Sequence, residues 1–322
     1  MPLPQQTAIH GQLAQTCGGH GEACAPSSLA RYLPPVPPLA VRVPASTSNL
    51  GAGFDCLGLA LDLWLDVRLS DGTGPPVYTG TLAGLDPEQD IIAQTLASAA
   101  ALPGRRLEAH SEIPVGKGLG SSAAARVAGI ALRQLLAGGL LDRDAVFAEA
   151  ALSEGHPDNS GPAAYGGLFL AGPRPTRLSL ARELGIALAV PDATISTHAA
   201  RARLPRDVSR EVAIAQAARA AALVLGLTAG DPHLIGFGME DQLAVPHRKD
   251  LIPGFDAAVA AGREAGAYGV TISGAGSALL AFTSPRSTAA VGEAMALALT
   301  RAGNPARPLT PKVAEQGLIQ VL

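Results

Sequence analysis

A chain that reads Ile113-Pro-Val-Gly-Lys-Gly-Leu-Gly-Ser-Ser-Ala-Ala124 has to turn sharply and then start a helix, and this junction constrains the fold more than any other stretch. Glycines at 116, 118 and 120 admit left-handed backbone and let the main chain come close to a neighbour. Beyond them Ala124, Val127, Ala128, Ala131, Leu135 and Leu136 recur at helical spacing, and Gly138-Gly139 supplies a stop. The first turn of such a helix has N–H groups without intrahelical partners and the positive end of the peptide dipoles, so an anion there is stabilised. Ser121 and Ser122 add hydroxyls, and Lys117 adds a mobile charge. The stretch is neither a Walker loop nor a Gly-x-Gly-x-x-Gly dinucleotide turn. On pattern alone two readings stay open, a phosphate site and an ordinary glycine-serine turn before a helix.

Around the junction the pattern alternates between strands and helices. Leu39 to Ala45 alternates as a strand that Pro44 should end, the polar turn Ser46–Asp55 follows, and Leu57–Leu69 alternates again. A helix is expected over Asp90–Ala101, a strand over Leu107–Ile113 and a second helix over Asp142–Leu152. A polar cluster, Ser153-Glu-Gly-His-Pro-Asp-Asn159, precedes an apolar strand over Tyr165–Leu170. Further on come a strand near 186–190, a helix over Asp207–Leu225 and another near 255–266. In the first of these helices Val208, Val212, Ala215, Ala218, Ala222 and Leu225 would form one face. Ser273-Gly-Ala-Gly-Ser277 lies between an apolar strand and the strand Ala278–Phe282, where small residues allow close backbone approach.

Length and charge narrow the class. The 322 residues suffice for two domains or one large one, and a formal charge of −3 gives no reason to expect nucleic acid or an anionic membrane as partner. No uncharged apolar run approaches the length of a membrane span. Cys17, Cys24 and Cys56 are too few and too scattered for a disulfide framework or a zinc site, which fits a reducing cytoplasm. Residues 1–38, rich in glycine, glutamine and proline without periodicity, read as a disordered N-terminal extension.

The polar turn at 46–55, the Pro-x-x-x-Gly-Leu-Gly-Ser-Ser-Ala-Ala loop and the Gly269–Ser277 run resemble, in order and spacing, the three motifs of the GHMP small-molecule kinases. Within that superfamily Glu154-Gly-His-Pro-Asp-Asn159 and Leu251-Ile-Pro-Gly254 resemble the homoserine kinases. The likeness spans roughly residues 39–315. It implies an α+β, two-layer fold, with a ribosomal protein S5 domain 2-like N-terminal domain over 39–180 and a ferredoxin-like C-terminal domain over 181–315.

The activity implied is transfer of the ATP γ-phosphoryl group to the hydroxyl of L-homoserine in threonine biosynthesis, with Mg2+ as cofactor. ATP would lie on Pro114, Val115, Gly116, Lys117, Gly118, Leu119, Gly120, Ser121, Ser122, Ala123 and Ala124, with Gly274 and Gly276 against it. Ser122 and a carboxylate would hold Mg2+. Many relatives carry a glutamate where this chain has Leu152, which leaves Glu154 or Glu149 for that role, and Glu154 is the choice. Lys117, Glu154 and Asn159 are the residues implied for the reaction itself. By the same resemblance Asn49, Asp55, His156, Asn159, Thr197, Arg201 and Arg248 surround the substrate, the arginines suiting its carboxylate and Asp55 its ammonium. Relatives are often homodimers. Another GHMP kinase, acting on mevalonate, a sugar or an isoprenoid precursor, and a nucleotide-binding relative without catalysis are the alternatives.

Overall fold

Two long strands carry the first half of the chain. The computed structural model describes residues 39–97 and 104–321, so the expected extension over 1–38 lies outside the described residues. β1 (Leu39–Ser48) and β2 (Leu57–Asp71) pair antiparallel from Leu39↔Leu69 to Ser48↔Gly58. Pro44 does not end β1 as expected. The register shifts between Pro44 and Ala45, and a proline, which has no N–H to donate, is accommodated where a bulge interrupts the ladder. Ser46, Thr47 and Ser48 therefore belong to a buried strand, and the turn begins at Asn49.

β3 (Val77–Gly80), α1 (Ile91–Ala97) and β4 (Arg105–Ser111) follow, and the distal part of the expected Asp90–Ala101 helix lies outside the described residues. Of the face read from its spacing, α2 (Ser121–Leu136) buries Ala124, Val127, Ala128, Ala131 and Leu135 and leaves Leu136 half-buried, and it buries Ile130 and Leu132 as well. α3 (Arg143–Glu154) is capped by the Asp142 side chain, which accepts from the N–H groups of Asp144 and Ala145. Tyr165, expected in a strand, instead ends the short α4 (Ser160–Tyr165), and β5 (Leu168–Leu170) and β6 (Thr176–Leu178) come after it.

The second half contains β7 (Gly185–Pro191), α5 (Thr197–Ala202), α6 (Arg210–Ala229), α7 (Pro232–Gly238), α8 (Val245–Arg248) and α9 (Phe255–Glu264). It closes with β8 (Ala267–Ile272), β9 (Leu279–Thr283), α10 (Thr288–Arg301) and β10 (Ala306–Leu309), and β11 (Ile319–Val321) comes last. The sheet order β10-β7-β9-β8, all antiparallel, with α9 and α10 as crossovers, is the β-α-β-β-α-β ferredoxin-like arrangement. The first sheet runs β11-β1-β2-β4-β3, with β5 paired to β2 and β6 to β5. The C-terminal stretch thus returns to the first sheet, where Asp62 N–H donates to Lys312 O at 2.8 Å and Ala314 N–H to Ala60 O at 3.1 Å.

α6 corrects the expected face. Val208 precedes the helix, Ala218 and Leu225 are exposed, and the buried residues are Ala222, Leu223, Gly226 and Leu227. The helix is apolar all round, with a mean hydropathy of 1.6, so spacing could not single out its inner side. By length and composition alone it could cross a membrane. Here Gln216 ties it to the fold, donating to Ala52 O at 3.0 Å and Asp241 Oδ1 at 2.7 Å.

Candidate active site

Hydrogen bonds stitch the three glycine- and serine-rich segments into one unit. Ser46 N–H donates to Leu119 O at 3.2 Å, Gly274 N–H to Ser48 O at 3.1 Å and Ala278 N–H to Lys117 O at 3.1 Å. Ser273 Oγ donates to Gly118 O at 2.7 Å and shares a 2.8 Å bond with Thr47 Oγ1. Asn49 Nδ2 donates to Gly274 O at 2.9 Å, and its Oδ1 accepts from Asp55 N–H at 2.9 Å. The buried Asn159 bridges the same strand, accepting from Ser46 Oγ at 2.9 Å and donating to Ser48 Oγ at 3.0 Å. Asn49, Leu50 and Asp55 have φ of 70°, 52° and 54°, left-handed values that among non-glycine residues Asn and Asp tolerate best, so Leu50 is the strained member.

The loop of 116–120 alternates in φ sign, since Gly116, Gly118 and Gly120 have φ of 72°, 74° and 70° while Lys117 and Leu119 do not share the positive range. Such alternation turns successive N–H groups inward to form an anion-binding concavity. It leads to the N-terminus of α2, where Gly120 provides no side-chain cap and leaves the first-turn N–H groups open. Two of the glycines answer to protein packing. A Cβ at 118 would lie 2.0 Å from Ser273 O, and one at 120 would lie 2.0 Å from Ser46 Oγ. Pro114, Ala123 and Ala124 are buried behind the loop, while Val115, Ser121, Ser122 and the largely buried Leu119 line the cavity. Lys117 is turned the other way, its ammonium donating to Ala193 O at 3.0 Å and also to Asp192 O, and burial pushes its pKa down.

At the start of α2, Ser122 Oγ donates to Glu154 Oε2 at 3.2 Å. Glu154 is the last residue of α3, and Arg126 Nε holds its Oε1 at 2.6 Å. Glu149 lies elsewhere, paired with Arg133, and Leu152 is 85% exposed. Of the two glutamates weighed from sequence, the structure brings Glu154 to Ser122.

A second cluster is charged. Arg201, on α5, grips Asp55 with Nη2–Oδ1 at 2.8 Å and Nη1–Oδ2 at 3.1 Å. Arg248, on α8, is only 4% exposed. Its Nε donates to Ala200 O at 3.1 Å, and its guanidinium lies 5.2 Å from the centre of the Phe54 ring. Burial, then the charge of Arg201, pushes its pKa down. His156 Nδ1 meets Asp158 Oδ1 at 2.5 Å, and that bond holds the imidazole pKa up against burial. Thr197 opens α5 beside these groups.

Both clusters line one cavity of about 460 Å3, which also takes in Gly274 and Gly276. Its wall continues over Leu65, Leu82, Leu85, Ile91 and Ile92, with Gln89 and Asp90 as polar points. This apolar wall, Asp158 and Arg126 are absent from the sequence reading. Asp158 stood inside the quoted polar cluster, and Arg126 is one helical turn beyond Ser122, so both had a signal. The wall comes from separate elements and had none.

Residues 90–167 match the family model for the GHMP kinases N terminal domain, and residues 219–300 that for the GHMP kinases C terminal. A homoserine kinase of Moorella thermoacetica is 42% identical over 277 residues, covering 82% of this chain and 93% of that protein. The chain belongs to the homoserine kinase family of the GHMP kinases. A homoserine kinase of Deinococcus radiodurans is 38% identical over 269 residues, covering 80% of this chain and 88% of its own. The crystal structure of homoserine kinase from Cytophaga hutchinsonii has a TM-score of 0.74 at 30% identity, covering 88% of this chain and 97% of that one. Family membership makes the chain an ATP-dependent kinase of a small molecule.

Proposed function

We infer that this chain transfers the ATP γ-phosphoryl group to the side-chain hydroxyl of L-homoserine, giving O-phospho-L-homoserine. One observation carries the reading: the glycine loop at the α2 N-terminus opens on the same cavity as Asp55, Arg201 and Arg248. An anion-binding loop beside one carboxylate and two guanidiniums suits a nucleotide and an amino acid together. The N–H groups of Gly116–Ser122 would take the phosphates, and the wall of Leu82, Leu85 and Ile92 would take the base. Arg201 and Arg248 would bind the substrate carboxylate and Asp55 its ammonium, while Asn49, His156, Asn159 and Thr197 frame the hydroxyl.

Phosphoryl transfer asks mainly for alignment and charge neutralisation, which this arrangement of fixed donors supports. Mg2+ is part of the proposal. Ser122 Oγ and Glu154 Oε2 are 3.2 Å apart, close to the about 2.9 Å between neighbouring oxygens around an octahedral Mg2+. When bound there, the cation would neutralise charge on the phosphates. Asn159, with both ends of its amide engaged by serines, also ties the start of α4 to β1. We extend the reading to a cytoplasmic homodimer and to the two-domain division at about residue 180.

A coupled ADP-release assay against homoserine, serine, mevalonate and galactose tests the proposal. Turnover with homoserine far above the others supports it. Preference for mevalonate or galactose, or no turnover at all, would overturn it.

A further inference from the structure

We propose that Arg126 is a positioning residue that holds Glu154 with one oxygen pinned and the other aimed at Ser122. The inference rests on the reading of Ser122 and Glu154 as ligands of a divalent cation.

Arg126 stands four residues after Ser122 on α2, so both side chains leave the same face of the helix. Its Nε binds Glu154 Oε1 at 2.6 Å, and its Nη1 donates to Ser153 Oγ at 2.9 Å. The guanidinium thus spans two consecutive residues at the end of α3. Glu154 has a side chain only 7% exposed and is the final residue before Gly155, whose φ of 80° ends the helix. Its carboxylate could rotate about its last bond, and the Arg126 contact removes that freedom by occupying Oε1. What remains is Oε2, 3.2 Å from Ser122 Oγ and at the edge of the cavity.

Lysine could not reproduce this arrangement, because it presents one point charge in place of two donors set at a fixed angle. Nor does the Lys117 ammonium supply a substitute, since it points to the carbonyls of Asp192 and Ala193. Among the described residues that line the cavity, Arg126 is the cation on the α2 side, whereas Arg201 and Arg248 belong to the amino-acid side.

Two other roles are chemically open to a guanidinium here, and they differ in sign. As a counter-ion that competes with the metal for Glu154, Arg126 would weaken metal binding. As a direct phosphate ligand, it would strengthen nucleotide binding in the absence of metal. A positioning residue strengthens metal binding and leaves metal-free nucleotide binding alone.

The full chain would be titrated with Mn2+ in the presence of ADP, following free Mn2+ by electron paramagnetic resonance, and separately with ADP in EDTA by calorimetry. Arg126→Met keeps most of the apolar stem and removes the guanidinium, Arg126→Ala removes both, and melting curves check that each folds. The expected result is a Mn2+ affinity about tenfold weaker in both variants, not rescued by Arg126→Lys, with metal-free ADP affinity within about twofold of the parent. Unchanged or tighter Mn2+ binding would overturn the proposal, as would weaker ADP binding without metal. Glu154→Gln separates the underlying reading. If that variant binds Mn2+ as the parent does, Glu154 is no ligand and the premise itself fails, whatever Arg126 does.

Discussion

Arg201 and Asp55 meet as a two-pronged ion pair, at 2.8 and 3.1 Å, inside the cavity where the two charges of an amino acid are expected. An incoming zwitterion can replace one ion pair by two, with its carboxylate on Arg201 and its ammonium on Asp55. An alcohol carrying a single charge would break the pair and leave one partner without compensation. Asp55→Asn and Arg201→Gln should each raise KM for homoserine by roughly tenfold or more and change kcat less. 4-Hydroxybutyrate, which lacks the ammonium, should be a poor substrate. Steady-state kinetics on both alcohols check this, and equal use of the two would count against it.

Asn159→Ala should lower kcat less than Arg248→Ala lowers kcat/KM for homoserine. The first change also leaves the Ser46 and Ser48 hydroxyls without their shared partner, a loss of about 1–3 kcal/mol in stability. Kinetics and urea unfolding on the same two proteins test both statements.

Gly118→Ala should reduce the melting temperature more than Gly116→Ala. Both residues have positive φ, so both variants suffer backbone strain of about 1–2 kcal/mol. The added methyl at 118 meets a carbonyl oxygen at 2.0 Å, while at 116 it meets the Thr194 methyl at 3.2 Å. Calorimetric melts without nucleotide would separate the packing cost from any loss of phosphate binding.

Asp90 predicts a pH dependence. Burial raises its pKa above the ordinary 3.8, although the Ala93 N–H opposes the shift, and Tyr78 donates to the same carboxylate. Between 3.8 and the raised value the folded chain binds more protons than the unfolded one, so this group's contribution to stability falls as pH rises. Asp90→Asn should therefore lose less stability than the parent across that window, and should run parallel to it at higher pH. Urea midpoints collected from pH 4 upward would reveal identical slopes if the idea is wrong.

Much of this was legible in the residues, for a physical reason. α2 has an apolar stripe with a polar opposite side, so its spacing identified the buried face correctly. α6 has no polar side, and the same method chose Leu225, which is exposed. Pro44 reads locally as a breaker, yet β2 supplies a partner strand on which a bulge absorbs it. Resemblance pairs Ser122 with Glu154 rather than Glu149, and the pitch of α3 gives the physical reason by turning Glu149 toward Arg133. The Leu82–Ile92 wall combines the loop after β3 with α1, which is seated on α2, a contact distant in sequence that no local pattern encodes.

The return of β11 to Ala40–Arg42 on β1 bears on how the molecule is made. The strand carrying Ser46, Thr47 and Ser48 is synthesised long before its edge partner Ile319–Val321, which covers Ala40–Arg42. Until β11 has been made, that stretch of edge offers unpaired N–H and C=O groups to any other extended chain. The nascent protein is therefore open to misassociation along the strand that will later hold its site together, and the arrival of β11 is the event that closes it.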